Sequence, residues 1–330
     1  MAIFSDNPEL RNHWYAIANV VDVNAGVVGR RLLGESLVLY TDPSGEVVVA
    51  PDRCPHREAP LSAGAVNDGV LVCCYHGWQF GRGGQCVGIP SADPGFPIPG
   101  NGHLQPYRSQ VRYGLVWVCL GEPSADIPEI GHEGREGFRR INNPVDTWNA
   151  SVTRMTDNFM DIAHFPWVHT GTFGNDQRTH VPKIDIVDLP GGFRGYEYPV
   201  IAENPPAAQL TSGQVQDNAN REMTTGFYLP FTVRSTILYE SGLEHIILLL
   251  SSPIDDLTSN FTFVVWRNDD FSVSAEDTIQ FDRAIGAEDK VMLEMIPGVL
   301  PMEQGALANT QSDKPSTAWR LKFQDLLAGK

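Results

Sequence analysis

Between Trp14 and Leu120 the chain repeats one pattern: short apolar runs rich in β-branched residues, broken by Gly, Asp and Pro. RLLGESLVLYTD, GEVVVAPD, GVLVCCYH and GLVWVCLG are its clearest instances. Runs this short, bounded by turn formers, predict strands joined by tight connections, and so a small antiparallel β domain. Pro90, Pro94, Pro97 and Pro99 mark an irregular closing segment. The stretch 122–137, EPSADIPEIGHEGREG, is polar, contains Gly and Pro and has no period, which is how a linker reads. The predicted domains are therefore 1–125 and 138–330.

The second region changes period. In WNASVTRMTDNFMDIAHF, Met155, Phe159 and Ile162 fall at i, i+4 and i+7, which predicts a helix. Pro166 disfavours helical geometry at Phe165, so this helix is expected to end or kink there. A poorly patterned stretch follows. Then come three strand-like runs, FTVRSTILYE, LEHIILLLSS and NFTFVVWRN, with a turn at Gly242 between the first two, and a last helical stretch, SAEDTIQFDRAIGAEDKVMLEMI. No internal repeat or low-complexity tract is visible. The expected fold class is α+β: an all-β domain, then an α+β domain whose antiparallel sheet is flanked by helices.

Length and charge narrow the function classes. A chain of 330 residues, 42% hydrophobic and 19% charged with 31 Gly and 24 Pro, has room for two cores and reads as globular and loop-rich. Residues 1–120 hold 8 Arg, no Lys and 10 Asp/Glu, a net of −2; of the chain's 24 basic and 40 acidic groups the rest therefore hold 16 and 30, a net of −14. A sequence pI near 4.9 argues against nucleic acid and anionic membranes as partners. No basic segment followed by an apolar run opens the chain, and no apolar stretch approaches the roughly 18 residues that span a bilayer. Five cysteines, two of them adjacent, do not form a secreted disulfide pattern. The expectation is a cytoplasmic protein that uses thiols for metal.

Cys54-x-His56 and, after sixteen residues, Cys73-x-x-His76 supply that chemistry. Any one of these side chains is better explained as a buried Cys or core His; all four at this spacing are not. Each predicted loop carries one thiol and one imidazole, so two turns can clamp a metal centre from both sides. Zinc takes such a set tetrahedrally, and a [2Fe–2S] centre takes it with two His in place of two Cys on one iron. Zinc fingers usually keep the Cys pair and the His pair separate, and the mixture in each loop favours the iron–sulfur alternative.

CPHR with CCYHGWQF and the following GRGGQCVGIP resembles the Rieske domain of the Rieske non-heme iron oxygenases. The resemblance implies Cys54, His56, Cys73 and His76 as ligands, the histidines through Nδ, with Trp78 packed beside them. It leaves Cys74 as a small, semi-buried bystander, like Cys86 and Cys119. Arg53, Arg57 and Arg82 flank these loops and either face an acidic electron donor or pair with Asp52, Glu58 or backbone carbonyls.

A second constellation separates an oxygenase from an electron carrier. In DNFMDIAHFPWVH, Asp161 is followed three residues on by His164 and five further by His169. Two His on one helix share a face at i, i+4; the spacing here is one residue longer, and Pro166 supplies a break that re-aims His169. Two His and a carboxylate make a facial triad on Fe(II) with open positions. The stretch resembles the D-x-x-H-x-x-x-x-H motif of the same oxygenases, which implies a distant Asp as third ligand: Asp289 in AEDKVMLE, with Asp282 and Asp277 as competitors and Glu288 as a solvated neighbour. It also implies that Asp161 bridges a cluster histidine of one subunit to an iron histidine of the next in a head-to-tail homotrimer, with Asn158, one turn earlier, as a lesser supporting residue.

The chain has no P-loop, and no G-x-G-x-x-G follows a strand, so no flavin or NAD domain is expected; NAD(P)H acts only through a separate ferredoxin and/or flavin reductase. The form of both motifs is most similar to the vanillate O-demethylase and dicamba monooxygenase branch. That resemblance implies O2-dependent monooxygenation of a small aromatic substrate by O- or N-demethylation, with ring hydroxylation as the alternative. Phe173, Phe227, Tyr228 and Trp266 are the aromatic candidates for the pocket. The readings from other classes are a non-catalytic Rieske electron carrier and a zinc-binding structural module.

Overall fold

A computed structural model describes residues 6–189, 193–303 and 305–330. The chain divides into two compact units, Met1–Asp126 and Ile127–Lys330.

The first unit is built from three small antiparallel sheets. One pairs Tyr15–Asn19 with Leu115–Cys119 and that with Arg108–Arg112; a second runs Val28–Leu32, Glu35–Thr41, Val47–Pro51; the third has Ala65–Asn67, Val70–Val72, Gln79–Phe80 and Cys86–Gly88. Three of its hairpins close in two residues, both with positive φ: Leu33-Gly34 (49° and 80°), Asp68-Gly69 (49° and 78°) and Tyr113-Gly114 (57° and 71°). This is the mirror-image turn whose twist matches that of paired strands. At Gly69 a Cβ would also stand 2.5 Å from the Pro43 nitrogen, so the turn needs glycine twice over. Val38, Tyr40, Val48, Ala50, Leu71 and Phe80 make a core on which Cys54, Cys73 and Trp78 rest.

The second unit is one antiparallel sheet, eight-stranded among the described residues. Its order is Arg139–Asn142, Ser259–Arg267, Glu244–Pro253, Thr232–Tyr239, Asn218–Tyr228, Phe193–Glu203, Val187–Leu189, with Asp146–Trp148 also paired to Ser259–Arg267. The strands Phe193–Glu203 and Asn218–Tyr228 lie in the poorly patterned stretch and pair from Arg194 opposite Phe227 to Glu203 opposite Asn218. Charged residues and Pro199 hide their alternation. Pro199 is tolerated because Val187–Leu189 pairs only with 193–195, which leaves that edge open at 199.

Helices cover one face of this sheet. Trp148, Met155 and Phe159 meet Phe261, Phe263 and Val265, with Ile279 and Leu293 of the long helix Ala275–Met295 in the same cluster. The closing helix Lys314–Leu327 buries Trp319 and Phe323, stacked at 5.2 Å, against Phe231. No helix among the described residues is long and apolar enough to cross a membrane.

The helix expected to reach Phe165 ends at Met160, and Asp161 is extended (φ −87°, ψ 148°). Its carboxylate accepts from the backbone N–H of Ala163 (3.0 Å) and His164 (2.9 Å), so Asp161 starts a new turn. Pro166 then sits in the first turn of the short helix Phe165–Val168, where its missing N–H costs nothing. The break comes five residues before the proline, and the proline begins a helix.

Trp319 is fully buried and its indole N–H donates to the Pro230 carbonyl at 2.9 Å. Trp319→Ala should therefore destabilise the second unit by about 3–5 kcal/mol. Denaturant titration followed by far-UV circular dichroism measures this, and a loss under about 1 kcal/mol would show that the closing helix is not part of the core.

Candidate metal centres and the adjoining pocket

The two cysteine loops have the same backbone. Cys54 N–H donates to Ala59 (2.9 Å) and Glu58 N–H back to Cys54 (2.9 Å); Cys73 N–H donates to Trp78 (2.9 Å) and Gly77 N–H back to Cys73 (3.0 Å). The fifth residue of each, Glu58 (φ 60°) and Gly77 (φ 69°), is left-handed. These turns point both thiols inward, where Cys54 and Cys73 are buried, and bring the His56 and His76 rings to 4.5 Å, edge to face. Trp78 stacks on His56 at 4.9 Å and 9°.

Nδ1 of His56 is buried and has no hydrogen-bond partner among the described residues. Burial pushes the Cys54 thiol up to about 11, and the facing Cys73 adds to the shift. Two thiols beside an imidazole nitrogen without a partner form a donor set that a cationic centre would complete, so the residues fit a metal cluster. Cys74 is exposed, not semi-buried as expected, and its Sγ lies 3.8 Å from the Pro60 carbonyl. Cys86 and Cys119 are buried. Arg53 pairs with Glu58 at 3.2 Å, while Arg57 and Arg82 are exposed beside the loops.

In the second unit, His164 and His169 cap the two ends of the helix Phe165–Val168, so one short turn closes their five-residue spacing. Their Nε2 atoms stand 3.2 Å apart, and Oδ1 of Asp289 is 3.5 Å from each. Their other nitrogens face carboxylates: His164 Nδ1 lies 3.0 Å from Asp161 and His169 Nδ1 3.0 Å from Glu288. When both rings are neutral, with the ring proton donated at Nδ1, each Nε2 turns a lone pair toward the other and toward an anionic oxygen. A divalent cation satisfies all three at once. Asn158 donates to the same Asp289 oxygen at 2.9 Å.

Glu288 is not the solvated neighbour expected of it. It also accepts from Thr172 Oγ1 (2.7 Å) and Gly171 N–H (3.0 Å), which fixes it against His169. Asp282 instead faces His245 at 3.5 Å, and Asp277 sits in the first turn of the long helix, its carboxylate accepting from the hydroxyl of the capping Ser274 at 2.7 Å.

A cavity of about 850 Å³, counted with its mouth, opens from these three residues between sheet and helices. Phe159, Phe165, Phe261, Phe263 and Phe281 make it largely apolar. Of the aromatic candidates Phe173 lines it and stacks on His169 at 4.8 Å. Phe227, Tyr228 and Trp266 do not: Phe227 is buried further along its strand, Tyr228 packs on Phe193, and Trp266 donates to Glu133 at 2.7 Å from the other face of the sheet. Sequence reasoning missed Glu288, Arg221 and the Phe261–Phe263 pair. The last was readable, since alternate residues of a strand share a face.

Burial opposes charge on His164, yet its bonds to Asp161 and Asp289 hold its pKa up at about 9; burial pushes His169 below its ordinary value despite Asp289. A cation entering here must displace the proton that the raised pKa retains, so affinity is full above pH 9 and falls with the protonated fraction below it. Fe(II) or Co(II) affinity of the metal-free protein should drop about tenfold per pH unit from about 9 to about 7. Calorimetric titration tests this, and a flat profile would remove His164 from the metal set.

Residues 13–108 match the Rieske [2Fe-2S] domain and residues 148–328 the vanillate O-demethylase oxygenase C-terminal domain. The chain is 28% identical to methylxanthine N1-demethylase NdmA of Pseudomonas putida over 98% of its length and 92% of that protein's. It is 32% identical to the vanillate O-demethylase oxygenase subunit of a Pseudomonas species, over 54% of this chain and 50% of that one. The solved structure of Pseudomonas putida CBB5 NdmA with caffeine superposes with a TM-score of 0.83 at 25% identity, covering 98% of this chain and 93% of that chain. Dicamba monooxygenase bound to dicamba shares the fold at a TM-score of 0.77 and 23% identity, over 96% of this chain and 97% of that chain. With these two domains in this order, the chain belongs to the vanillate O-demethylase family of Rieske non-heme iron oxygenases.

Proposed function

We propose that this protein is the terminal oxygenase of a multicomponent system that removes a methyl group from oxygen or nitrogen on a small aromatic substrate, using O2. The observation that carries the reading is the His164, His169 and Asp289 triangle at the end of an aromatic-lined pocket. Cys54, His56, Cys73 and His76 would hold the [2Fe–2S] cluster, and the triangle would hold Fe(II). When bound, the cluster supplies electrons singly and the iron supplies O2 activation.

The protein's own groups do the rest. Asp161 and Glu288 keep both imidazoles in one tautomer, Asn158 holds the Asp289 carboxylate in place, and the Phe-lined walls exclude water and present the methyl group. One oxygen atom enters a methyl C–H bond, and the hemiacetal or carbinolamine so formed loses formaldehyde. The other oxygen atom leaves as water, with two electrons and two protons supplied from outside.

The electrons start on NAD(P)H and arrive through a ferredoxin and/or flavin reductase, for which exposed Arg57 and Arg82 beside the cluster loops offer a cationic face in an otherwise acidic chain. In a head-to-tail homotrimer, Asp161 joins a cluster histidine of the neighbouring copy to His164. Five free cysteines suit the reducing cytoplasm.

A panel of methoxy- and N-methyl aromatics, scored for formaldehyde and O2 uptake with a surrogate reductase, tests the reaction; hydroxylated rings without formaldehyde would replace demethylation by ring hydroxylation. His164→Ala should keep the visible spectrum of the cluster and lose turnover entirely, and surviving turnover would remove the iron assignment. Asp161→Asn should retain both metal centres while single-turnover product formation slows by about tenfold or more. An unchanged single-turnover rate would reject the bridge.

A further inference from the structure

Two of the three residues in the metal triangle are aimed from one turn of one helix. Asn158 donates to Asp289 Oδ1 at 2.9 Å, and the Asp161 carboxylate holds His164 Nδ1 at 3.0 Å. Asn158 lies in the last turn of the helix Val152–Met160, and Asp161 is the residue that ends it. Whatever fixes the tilt of that turn fixes two of the three ligand side chains.

The helix's own sequence does not favour this turn. Peptide dipoles leave a partial negative charge at the C-terminal end of a helix, where a cation stabilises and an anion does the reverse. Here Asp157 stands in the last turn, Asp161 follows it four residues later, and no basic residue of the helix accompanies them. Burial pushes the Asp157 carboxyl above its ordinary value against the pull of Arg320, and the charge of Asp161 adds to the rise.

The missing cation comes from the closing helix Lys314–Leu327. Arg320 sets its fork on Asp157, Nε to Oδ1 at 2.7 Å and Nη2 to Oδ2 at 2.8 Å, and two parallel bonds fix direction as well as distance. Only 13% and 21% of the two side chains are exposed, so water screens the pair little. Arg320 Nη1 also donates to Asn309 Oδ1 at 3.1 Å, which steadies the fork itself. One turn before Arg320, Ser316 Oγ donates to the Asp157 carbonyl at 3.1 Å, and from the sheet Tyr196 donates to the Met160 carbonyl at 2.9 Å. Both carbonyls belong to the last four, which a helix cannot pair internally.

The other end of Val152–Met160 is tied to the segment that follows the long helix. Leu300 N–H donates to Thr153 Oγ1 at 3.2 Å, and Arg154 Nη2 reaches the Pro297 and Val299 carbonyls at 3.4 and 3.3 Å. With its first turn fixed, the helix keeps one freedom, the tilt of its last turn. We propose that Arg320 is a positioning residue of the metal triangle: through Asp157 it holds that last turn where Asn158 and Asp161 aim Asp289 and His164 at one point. The inference rests on the metal reading of the triangle and not on demethylation. It gives the closing helix, which lines no part of the cavity, a place in the site.

The test titrates Co(II) into the triangle of the full chain with its cluster oxidised, and so silent in electron paramagnetic resonance. Affinity is read by calorimetry and ligand geometry by the high-spin Co(II) resonance, for the native protein, Arg320→Gln, Arg320→Lys and Phe323→Leu. Phe323 is fully buried on the same helix, so Phe323→Leu loosens the helix without touching Asp157. Arg320→Gln should weaken Co(II) binding about tenfold and alter the resonance, while Arg320→Lys, which keeps the charge but not the fork, should lose at least about threefold. Phe323→Leu should lower the denaturant midpoint and leave Co(II) affinity within about twofold of native, with the native resonance.

Native affinity and resonance in Arg320→Gln overturn the positioning role, and so does an equal loss in Phe323→Leu, which would make the effect a general loosening. A native protein that takes up no Co(II) removes the metal triangle and the proposal with it. A loss that follows Arg320 in a protein that releases no formaldehyde from the aromatic panel leaves the positioning role standing and removes demethylation. Should Arg320→Gln fail to fold, Arg320→Lys decides: weaker binding with an altered resonance sustains the role, and native values in both overturn it.

Discussion

The geometry of the candidate metal triangle depends on two hydrogen bonds, His164 to Asp161 and His169 to Glu288, each 3.0 Å. An imidazole can bind metal through either nitrogen, and with free rotation the two rings would present many arrangements to a cation. Tying down Nδ1 on each leaves Nε2 as the only lone pair and aims both at one point. The carboxylates are themselves constrained: Asp161 by the N–H groups of the turn it begins, Glu288 by Thr172 and Gly171. Local backbone geometry therefore reaches the metal site through a single intervening side chain. The three carboxylates Asp161, Asp289 and Glu288 would together more than offset a bound dication and so lower the electrostatic cost of burying it.

The long helix Ala275–Met295 brings most of the site into one frame. Asp289 and Glu288 are neighbours about 100° apart on it, so one carboxylate points at the Nε2 atoms of the two histidines and the next holds the ring of His169. Two turns earlier the same face carries Asp282 at the other end of the pocket. The distance between the His164, His169 and Asp289 triangle and the polar end is thus fixed by two turns of one helix, which cannot stretch. The sheet supplies the opposite wall with Phe261 and Phe263 from alternate positions of one strand. Pocket length is set by the helix, and its apolar lining is shared by strand, turn and helix.

The β domain and the three late strands were legible because their apolar runs are short, contiguous and bounded by turn formers. The pair Phe193–Glu203 and Asn218–Tyr228 was not, since its inward row includes Arg221 and its outward row includes Pro199 and Ile201, so no simple alternation survives. The closing helix Lys314–Leu327 was also passed over; its buried side is narrow, resting on Trp319 and Phe323. Of the three residues that meet, His164 and His169 were readable from spacing and chemistry and Asp289 only through the family resemblance, with Asp282 and Asp277 as competitors; the mechanism of their meeting was not readable. Pro166 looked like the break, whereas the break is made by Asp161, whose carboxylate satisfies the N–H groups of the next turn. Glu288 was invisible because a Glu beside an Asp on a charged helix is ordinarily solvated. Its role depends on Thr172 and Gly171, which only the tertiary fold brings near.

Both units solve the same problem by the same means, holding a few ligand side chains still with backbone geometry that their neighbours enforce. In the first unit this is a repeated turn with a left-handed fifth residue, and the non-glycine Glu58 adopts it as Gly77 does. In the second it is a helix ended early by its own carboxylate. Each departs from what local propensity favours: a left-handed Glu, a helix interrupted before its apolar period runs out, an Arg on the inner face of a strand. Such departures are unfavourable in isolation and persist where the surrounding structure over-determines them. Glu58, Asp161, Arg221 and Asp282 each border one of the two candidate sites or the pocket, whereas Leu33, Asp68 and Tyr113 take left-handed backbone in hairpin turns, so a misfit between sequence propensity and structure marks either a tight turn or the chemistry.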